Sequence, residues 1–420
     1  MTFTGRGNVP SNQGLSINNP LLAPRLGLAY RLTEKTVIRA GYGLTWDPLP
    51  FSRPLRGFYP LTVSTNIVGP NGFTPAGSLA SGIPAFTGPD LSKGSAPLPP
   101  TADMRSPWGK INRGYIQSWN MTVERELPGK LVSSVAYVGT QVTHQFADRN
   151  INVGLPGTQT TDLPFARAFN RRIAVNMWDG WLSSNYHSLQ VAVSRQVAGG
   201  LFLKGAYTWS KAINMTDDNG WTSVAWNSPE VIGRNRARAG YDRRHILQMA
   251  YGYELPFGRG KKFINSGPAS WILGNWGVNG LFYAFTGTPF GVGTSVACNC
   301  PGNGSTANQV KTEVNKIGQY GPGTLYYDPT AFADPAPNTF GSTGRNILTG
   351  PGRIGTDMSL ARVFPIGERF RFELRGEAFN LTNTPQFSNP SSTTVGNPNF
   401  MRILSASGER QLRVGGVIRF

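Results

Sequence analysis

The residues able to do chemistry are few, and their spacing argues against most of it. Cys298 and Cys300 sit in ACNCPGNG, while His144, His187 and His245 are scattered. A structural zinc site takes four ligands, so a cysteine pair with one spacer reads as a loop turn, open to cross-linking, rather than a metal centre. Glu373 and Glu377 share one face of an extended segment and could form a glycosidase carboxylate pair. Arg371 and Arg375 alternate with them, so an ion-pair ladder on a wet face is the better reading. DDNG, residues 217–220, offers oxygen ligands for calcium but lacks the distal Glu of a complete loop, and reads as a polar turn. No Ser/His/Asp order, Gly-rich phosphate loop or HExxH occurs. No catalytic mechanism assembles, no cofactor is required, and the chain reads as a non-enzyme.

The element that must hold the four charges is FRFELRGEAF, residues 370–379, with Phe370, Phe372 and Leu374 on one parity and the charges on the other. A strand sends successive side chains to opposite faces, so one face is dry and the other wet. A helix at about 100° per residue would scatter the same charges around its circumference. Two settings remain: a half-solvated strand of a soluble antiparallel sheet, or a strand of a membrane barrel with lipid outside and a polar lumen inside.

Composition narrows the choice. Among 420 residues there are 52 Gly and 32 Pro, with 15% charged and 11% aromatic residues, which suits many strands joined by irregular loops. No run of eighteen apolar residues marks a helical span, and mean hydropathy is -0.25. A barrel remains open, because only alternate residues of its strands are apolar. Net charge is 40 minus 22, or +18, which raises nucleic acid as a partner. The basic residues are dispersed, with short clusters at GRNRARAGYDRRH (233–245) and GRGKK (258–262), and no nucleic-acid-binding motif accompanies them. No nucleic acid is expected; a basic rim meeting anionic lipid headgroups, or basic lumen residues, accounts for the charge better. MTFTGRGNVPSNQGLSINN lacks the apolar core of a secretory signal, so no signal peptide is expected in it.

Eleven segments carry the alternating pattern or a weaker form of it. They include Leu26, Leu28, Tyr30 and Leu32; Ile38, Ala40, Tyr42, Leu44 and Trp46; Trp119, Met121 and Val123; Leu189, Val191 and Val193; and Leu247, Met249, Tyr251 and Tyr253. About ten residues at roughly 3.3 Å rise and about 45° tilt project some 24 Å, the height of a membrane-spanning apolar band. Tight connections such as TEK, LPGK, VAGG and PIGE alternate with long ones near 47–113, 143–184, 212–240, 287–351 and 383–408. The 255–269 link is of middling length and falls where a short turn is due. Loops sorted by length to two ends are the habit of outer-membrane barrels, with short periplasmic turns and long extracellular loops. A soluble sandwich has no reason to sort them. The fold class is therefore all-β, an antiparallel transmembrane β-barrel.

The chain ends LRVGGVIRF, with Leu412, Val414, Gly416, Ile418 and Phe420 on one face. This resembles the C-terminal barrel-assembly signal of bacterial outer-membrane proteins. APRLGLAYRLTEKTVIRAGYG, YIQSWNMTVERELPGKLVSSVAYVGT, YDRRHILQMAYGYELPFGRGKK, GRNILTGPGRIGTDMSLARVFPI and RFRFELRGEAFNLTNTPQF resemble the C-terminal barrel half of TonB-dependent receptors, in particular the Oar-like group with a carboxypeptidase-regulatory-like domain. The resemblance implies that residues 1–420 are the last eleven strands of a 22-stranded barrel, without plug domain or signal peptide. It also implies outer-membrane location and partners in outer-membrane lipid, the missing N-terminal barrel half and plug, TonB acting through the missing region, and an unidentified solute. Arg371, Glu373, Arg375 and Glu377 would then face the lumen. A non-transport surface barrel, an adhesin or structural protein, is the alternative.

Overall fold

The computed structural model describes residues 11, 16–17, 21–48, 69, 71–78, 80, 82, 104–107, 110–217, 224–367 and 369–420. The expectations placed on residues 1–10, on most of the 47–113 connection, on Glu368 of PIGE and on residues 218–220 of DDNG lie outside these.

Eleven strands form one antiparallel ladder in chain order. They are β1 (Arg25–Thr33), β2 (Thr36–Trp46), β3 (Tyr115–Leu127), β4 (Leu131–Asn150), β5 (Val175–Ala198), β6 (Leu201–Asn214), β7 (His245–Glu254), β8 (Trp276–Phe285), β9 (Arg353–Ile366), β10 (Phe370–Phe379) and β11 (Gln411–Arg419). Two short strands off this path, Ala237–Arg238 beside β6 and Met104–Pro107 beside β5, bring the sheet to thirteen. Met104–Pro107 runs parallel to its neighbour, a local departure from the antiparallel rule. Among the described residues, helices are confined to short pieces, the longest being α1 (Pro164–Phe169) and α2 (Gly267–Leu273).

The tight turns have the backbone their sequences call for. Gly199 and Gly200, between β5 and β6, have φ of 61° and 79°, the doubly left-handed pair that matches the twist of a hairpin and that glycine adopts without a Cβ penalty. The β7–β8 link is larger, because α2 and the 255–266 segment fold into it.

Directly paired residues lie on the same side of a sheet, so registers carry the parity of one strand to the next. One row runs Tyr30, Ile38, Val123, Val135, Val191, Tyr207, Leu247, Ala284, Ile354 through nine strands. On the other side a row runs Val37, Glu124, Ser134, Ala192, Ala206, Gln248, Tyr283, Gly355. The sheet thus has one continuous apolar face and one polar or small face. The apolar row also climbs. It begins at Tyr30, close to the short turn after β1, and ends at Ile354, next to the long connection before β9. A row that shifts steadily along the strands is the stagger of strands tilted to a barrel axis.

β4 and β5 are longer than the ten or so residues expected. Their pairing continues to Asn150 opposite Asn176, so much of the 143–184 connection is a hairpin raised above the wall. Here the alternation that marks a strand disappears, because Phe146, Ala147, Trp178 and Leu182 are all buried under neighbouring loops, and a doubly covered strand has no wet face to reveal it.

Among the described residues, buried clusters lie in this loop layer rather than behind the wall. The largest joins Phe290, Val292, Tyr326, Phe332, Met401 and Ile403 from the 287–351 and 383–408 connections. Wall residues of the apolar face, such as Leu28 at 60% and Val414 at 83%, stay exposed.

Candidate functional site

On the polar face at the C-terminal edge, β10 and β11 bring the predicted ladder together. Glu373 accepts from Arg375 through Oε1 at 2.5 Å and from Arg419 of β11 through Oε2 at 3.1 Å. Arg375 also reaches Glu377 at 3.5 Å. Glu373 is the buried member, and two guanidinium groups share it, which holds its charge in a partly dry place. Arg371 does not join: it lies directly opposite Arg419, and like charges in that position repel, so among the described residues it forms no ion pair. Arg419, missed by a one-strand reading, becomes visible only when β11 is laid beside β10. The groups line an open cleft of about 420 Å³ with Arg413 and Val417. A second charge pair on the same face, Arg39 with Glu124 at 3.1 Å across β2 and β3, was likewise not singled out from sequence.

On the apolar face of β11, Leu412, Val414, Ile418 and Phe420 are all exposed, and Gly416 lies under the ring of Phe372. The same aromatic-over-glycine arrangement places Trp119 over Gly139 and Tyr251 over Gly280, where any side chain would meet the ring. On the opposite face Tyr283 covers Gly355 in the same way.

Most of the basic cluster of 233–245 ties loops together and to the wall. Arg238 donates to Asp242 at 2.9 Å and to Thr349 at 2.8 Å, Arg243 donates to the Thr286 carbonyl at 2.7 Å, and Arg234 reaches the Gly341 carbonyl. Arg345 joins Asn214, Asp217 and the Asn235 carbonyl, each at 3.0 or 3.1 Å. Asp217, read from sequence as part of a polar turn, thus receives an arginine and the Gly240 amide. Asparagines do the remaining work: Asn303 accepts from the Asn227 and Ser228 amides at 2.9 Å and donates to Ser228 Oγ, while Asn152 donates to the Arg171 and Ile173 carbonyls. In the same layer Lys311 lies 2.7 Å from Asp328, whose carboxyl is lowered to about 2 by that hydrogen bond and by those from Thr330. Burial and the neighbouring tyrosines raise the Tyr326 hydroxyl.

Cys298 and Cys300 are joined to each other, with Asn299 in the left-handed region between them at φ 46°. The histidines stay apart from any metal set: among the described residues no cluster of three or more His, Cys, Asp or Glu could hold an ion. His187 and His245 instead meet Tyr137 and Tyr207.

The model of the outer membrane beta barrel domain family matches residues 1–413. Among solved structures, the chain is similar to the ferric-catecholate import receptor Fiu of Escherichia coli K12, at 11% identity and TM-score 0.42 over 95% of this chain and 35% of that one. It is also similar to the ferric preacinetobactin receptor BauA of Acinetobacter baumannii, at 10% identity and TM-score 0.43 over 94% and 36%. A third is the pyoverdine receptor FpvA of Pseudomonas aeruginosa, at 11% identity and TM-score 0.43 over 95% and 36%. The chain spans about a third of the length of these receptors. No curated protein matches it.

Proposed function

Because the chain belongs to the outer membrane beta barrel domain family and so resides in the outer membrane, we propose that it is an arc of the wall of a TonB-dependent receptor of the Oar-like group, serving energy-coupled uptake of an unidentified solute. Residues 1–420 would be the C-terminal arc, with the earlier strands and a plug on a further polypeptide segment. The charges of β10 and β11 would line the lumen, and no catalytic step would be involved.

The observation that carries this reading is a staggered eleven-strand sheet with a continuous apolar face, whose two end strands, β1 and β11, each have one partner among the described residues. A row of unmet backbone groups in hydrocarbon costs several kcal/mol per group, so these edges require more strands or each other. Cysteine pairs decide between those outcomes. With Tyr30→Cys and Val414→Cys in the outer membrane, oxidation is expected to leave the two positions unlinked within one chain. Efficient linkage of 30 to 414 within one chain would mean a self-closed barrel and end the arc reading. A surface adhesin is the second reading, favoured by the packed loop layer of Phe290, Tyr326, Phe332 and Met401. Solute accumulation that stops when TonB is deleted would exclude it.

A further inference from the structure

Near the long-loop end of the wall, on the apolar face, β4, β5, β6 and β7 place Tyr137, Leu189, Trp209 and His245 in one directly paired row. One step farther toward the long loops, His187 pairs with Lys211. These residues, with Arg244, border a cleft of about 590 Å³.

The arrangement differs from the rest of that face. Two histidines are each bound by a tyrosine: Tyr137 Oη lies 2.8 Å from His187 Nδ1, and Tyr207 Oη lies 2.7 Å from His245 Nδ1. Each pair is also stacked, at interplanar angles of 17° and 20°. With the tyrosine hydroxyl donating, the ring proton sits on Nε2 and is a free donor. Trp209 is 53% exposed between them. Lys211 and Arg244 bring two positive charges and, among the described residues, neither meets a carboxylate. The other arginines of the 233–245 cluster named above are all tied to loop oxygens.

Cations left unpaired beside an exposed tryptophan, at the edge of an oily wall, fit neither loop clasping nor lumen chemistry. Indole and phenol rings favour the membrane interface, and unpaired basic groups there attract anionic headgroups. We propose that this cleft binds the phosphate-bearing headgroup of an outer-leaflet lipid, with Lys211 and Arg244 holding the phosphate, the histidine Nε2 groups donating to its oxygens, and Trp209, Tyr137 and Leu189 lying along the first acyl carbons. The proposal rests on the outer-membrane wall reading, since it needs the apolar face turned to lipid.

The test uses the full chain in dodecyl maltoside, titrated with dioctanoyl phosphatidic acid, dioctanoyl phosphatidylcholine or inorganic phosphate, with bound lipid counted by native mass spectrometry. Saturable retention of phosphatidic acid is expected. Two interfacial cations at about fivefold each make K211Q/R244Q about twenty-fivefold weaker. The equally charge-reduced K35Q/K130Q, altered at the short-turn end, should bind as the parent does. Equal binding by parent and K211Q/R244Q, or equal weakening in K35Q/K130Q, overturns the site. Competition by inorganic phosphate at the lipid's own concentration makes it a soluble-anion site and also overturns the proposal. A nitroxide at Val193→Cys, on the apolar face away from the cleft, reports the premise separately. Preferential quenching by oxygen over a water-soluble nickel chelate means that face is lipid-exposed, so a binding failure then counts against the cleft alone; the reverse preference removes both readings.

Discussion

Glu373 is the residue on which the polar-face ladder turns. It is buried, and it accepts from Arg375 and Arg419, whereas Glu377 touches Arg375 alone at 3.5 Å and is more open. Glu373→Gln leaves two arginines sharing a neutral amide. After allowing for the exposed guanidinium groups, a loss of about 1 to 2 kcal/mol is expected, and under 1 kcal/mol for Glu377→Gln. Urea unfolding of the two variants in detergent micelles measures this, and equal losses would show that Glu373 has no central role. In the loops, Asp328 offers a pH test. Its folded-state carboxyl lies at about 2 against an ordinary 3.8, first because of the Lys311 hydrogen bond and then because of Thr330. A depressed carboxyl contributes stability above the unfolded value, and that contribution disappears as pH falls through the folded one. The Lys311–Asp328 clasp is therefore expected to persist at pH 3.8 and open near pH 2. Carbon NMR of the Asp328 carboxyl, with Lys311→Met moving its midpoint back toward 3.8, reads this directly.

For single strands, the informative positions are glycines beneath aromatic rings. A side chain at Gly139 would meet Trp119, and one at Gly280 would meet Tyr251, whereas Gly27 has nothing within 4 Å. Gly139→Val and Gly280→Val are expected to cost about 1 to 3 kcal/mol each by overpacking. Gly27→Ala should be near neutral or slightly stabilising, since it removes only backbone freedom from the unfolded chain. Comparable losses at all three sites in thermal unfolding would mean that backbone freedom, not the ring, selects glycine. Strand alternation was readable wherever one face is wet, which is why β1, β2, β3 and β10 appear in the sequence almost at their structural limits. It failed over 143–150 and 175–184, where loops cover the strands and the pattern loses its period. The β7–β8 link was readable as a turn by position, but α2 within it was not, because seven residues hold too few turns to show a period.

At the scale of the whole molecule, the apolar face should matter for assembly and the polar face should not. Val414→Arg on β11 is expected to cost about 2 to 4 kcal/mol of insertion, while Gly415→Glu, one residue away on the polar face, opposite Arg375 and with open space around it, is tolerated. The fraction of chain migrating as a heat-modifiable folded form from outer membranes separates them, and similar behaviour would contradict the assignment of faces. Phe420 is 97% exposed, so it adds little packing here. If it serves as an assembly signal, Phe420→Ala lowers the assembled fraction in cells yet leaves refolding in detergent unchanged; a deficit in both would make it a stability residue.

Sequence alone determined the strand-rich composition, the parity of most spanning segments and the sorting of long and short connections, because each follows from local chemistry within about ten residues. It also placed Glu373, Arg375 and Glu377 on one face. Tertiary structure decided what depends on lateral registry: the single apolar face through eleven strands, the stagger that tilts them, Arg419 joining the ladder while Arg371 is kept out, and the cleft that assembles Tyr137, His187, Lys211 and His245 from four strands. It also showed that the long connections pack into a layer with its own buried core, formed by residues such as Phe290 and Met401 that lie more than a hundred positions apart and gain their burial only when the loops fold together. Pairing between strands joins residues by hydrogen-bond geometry rather than by sequence distance, so no local pattern specifies it.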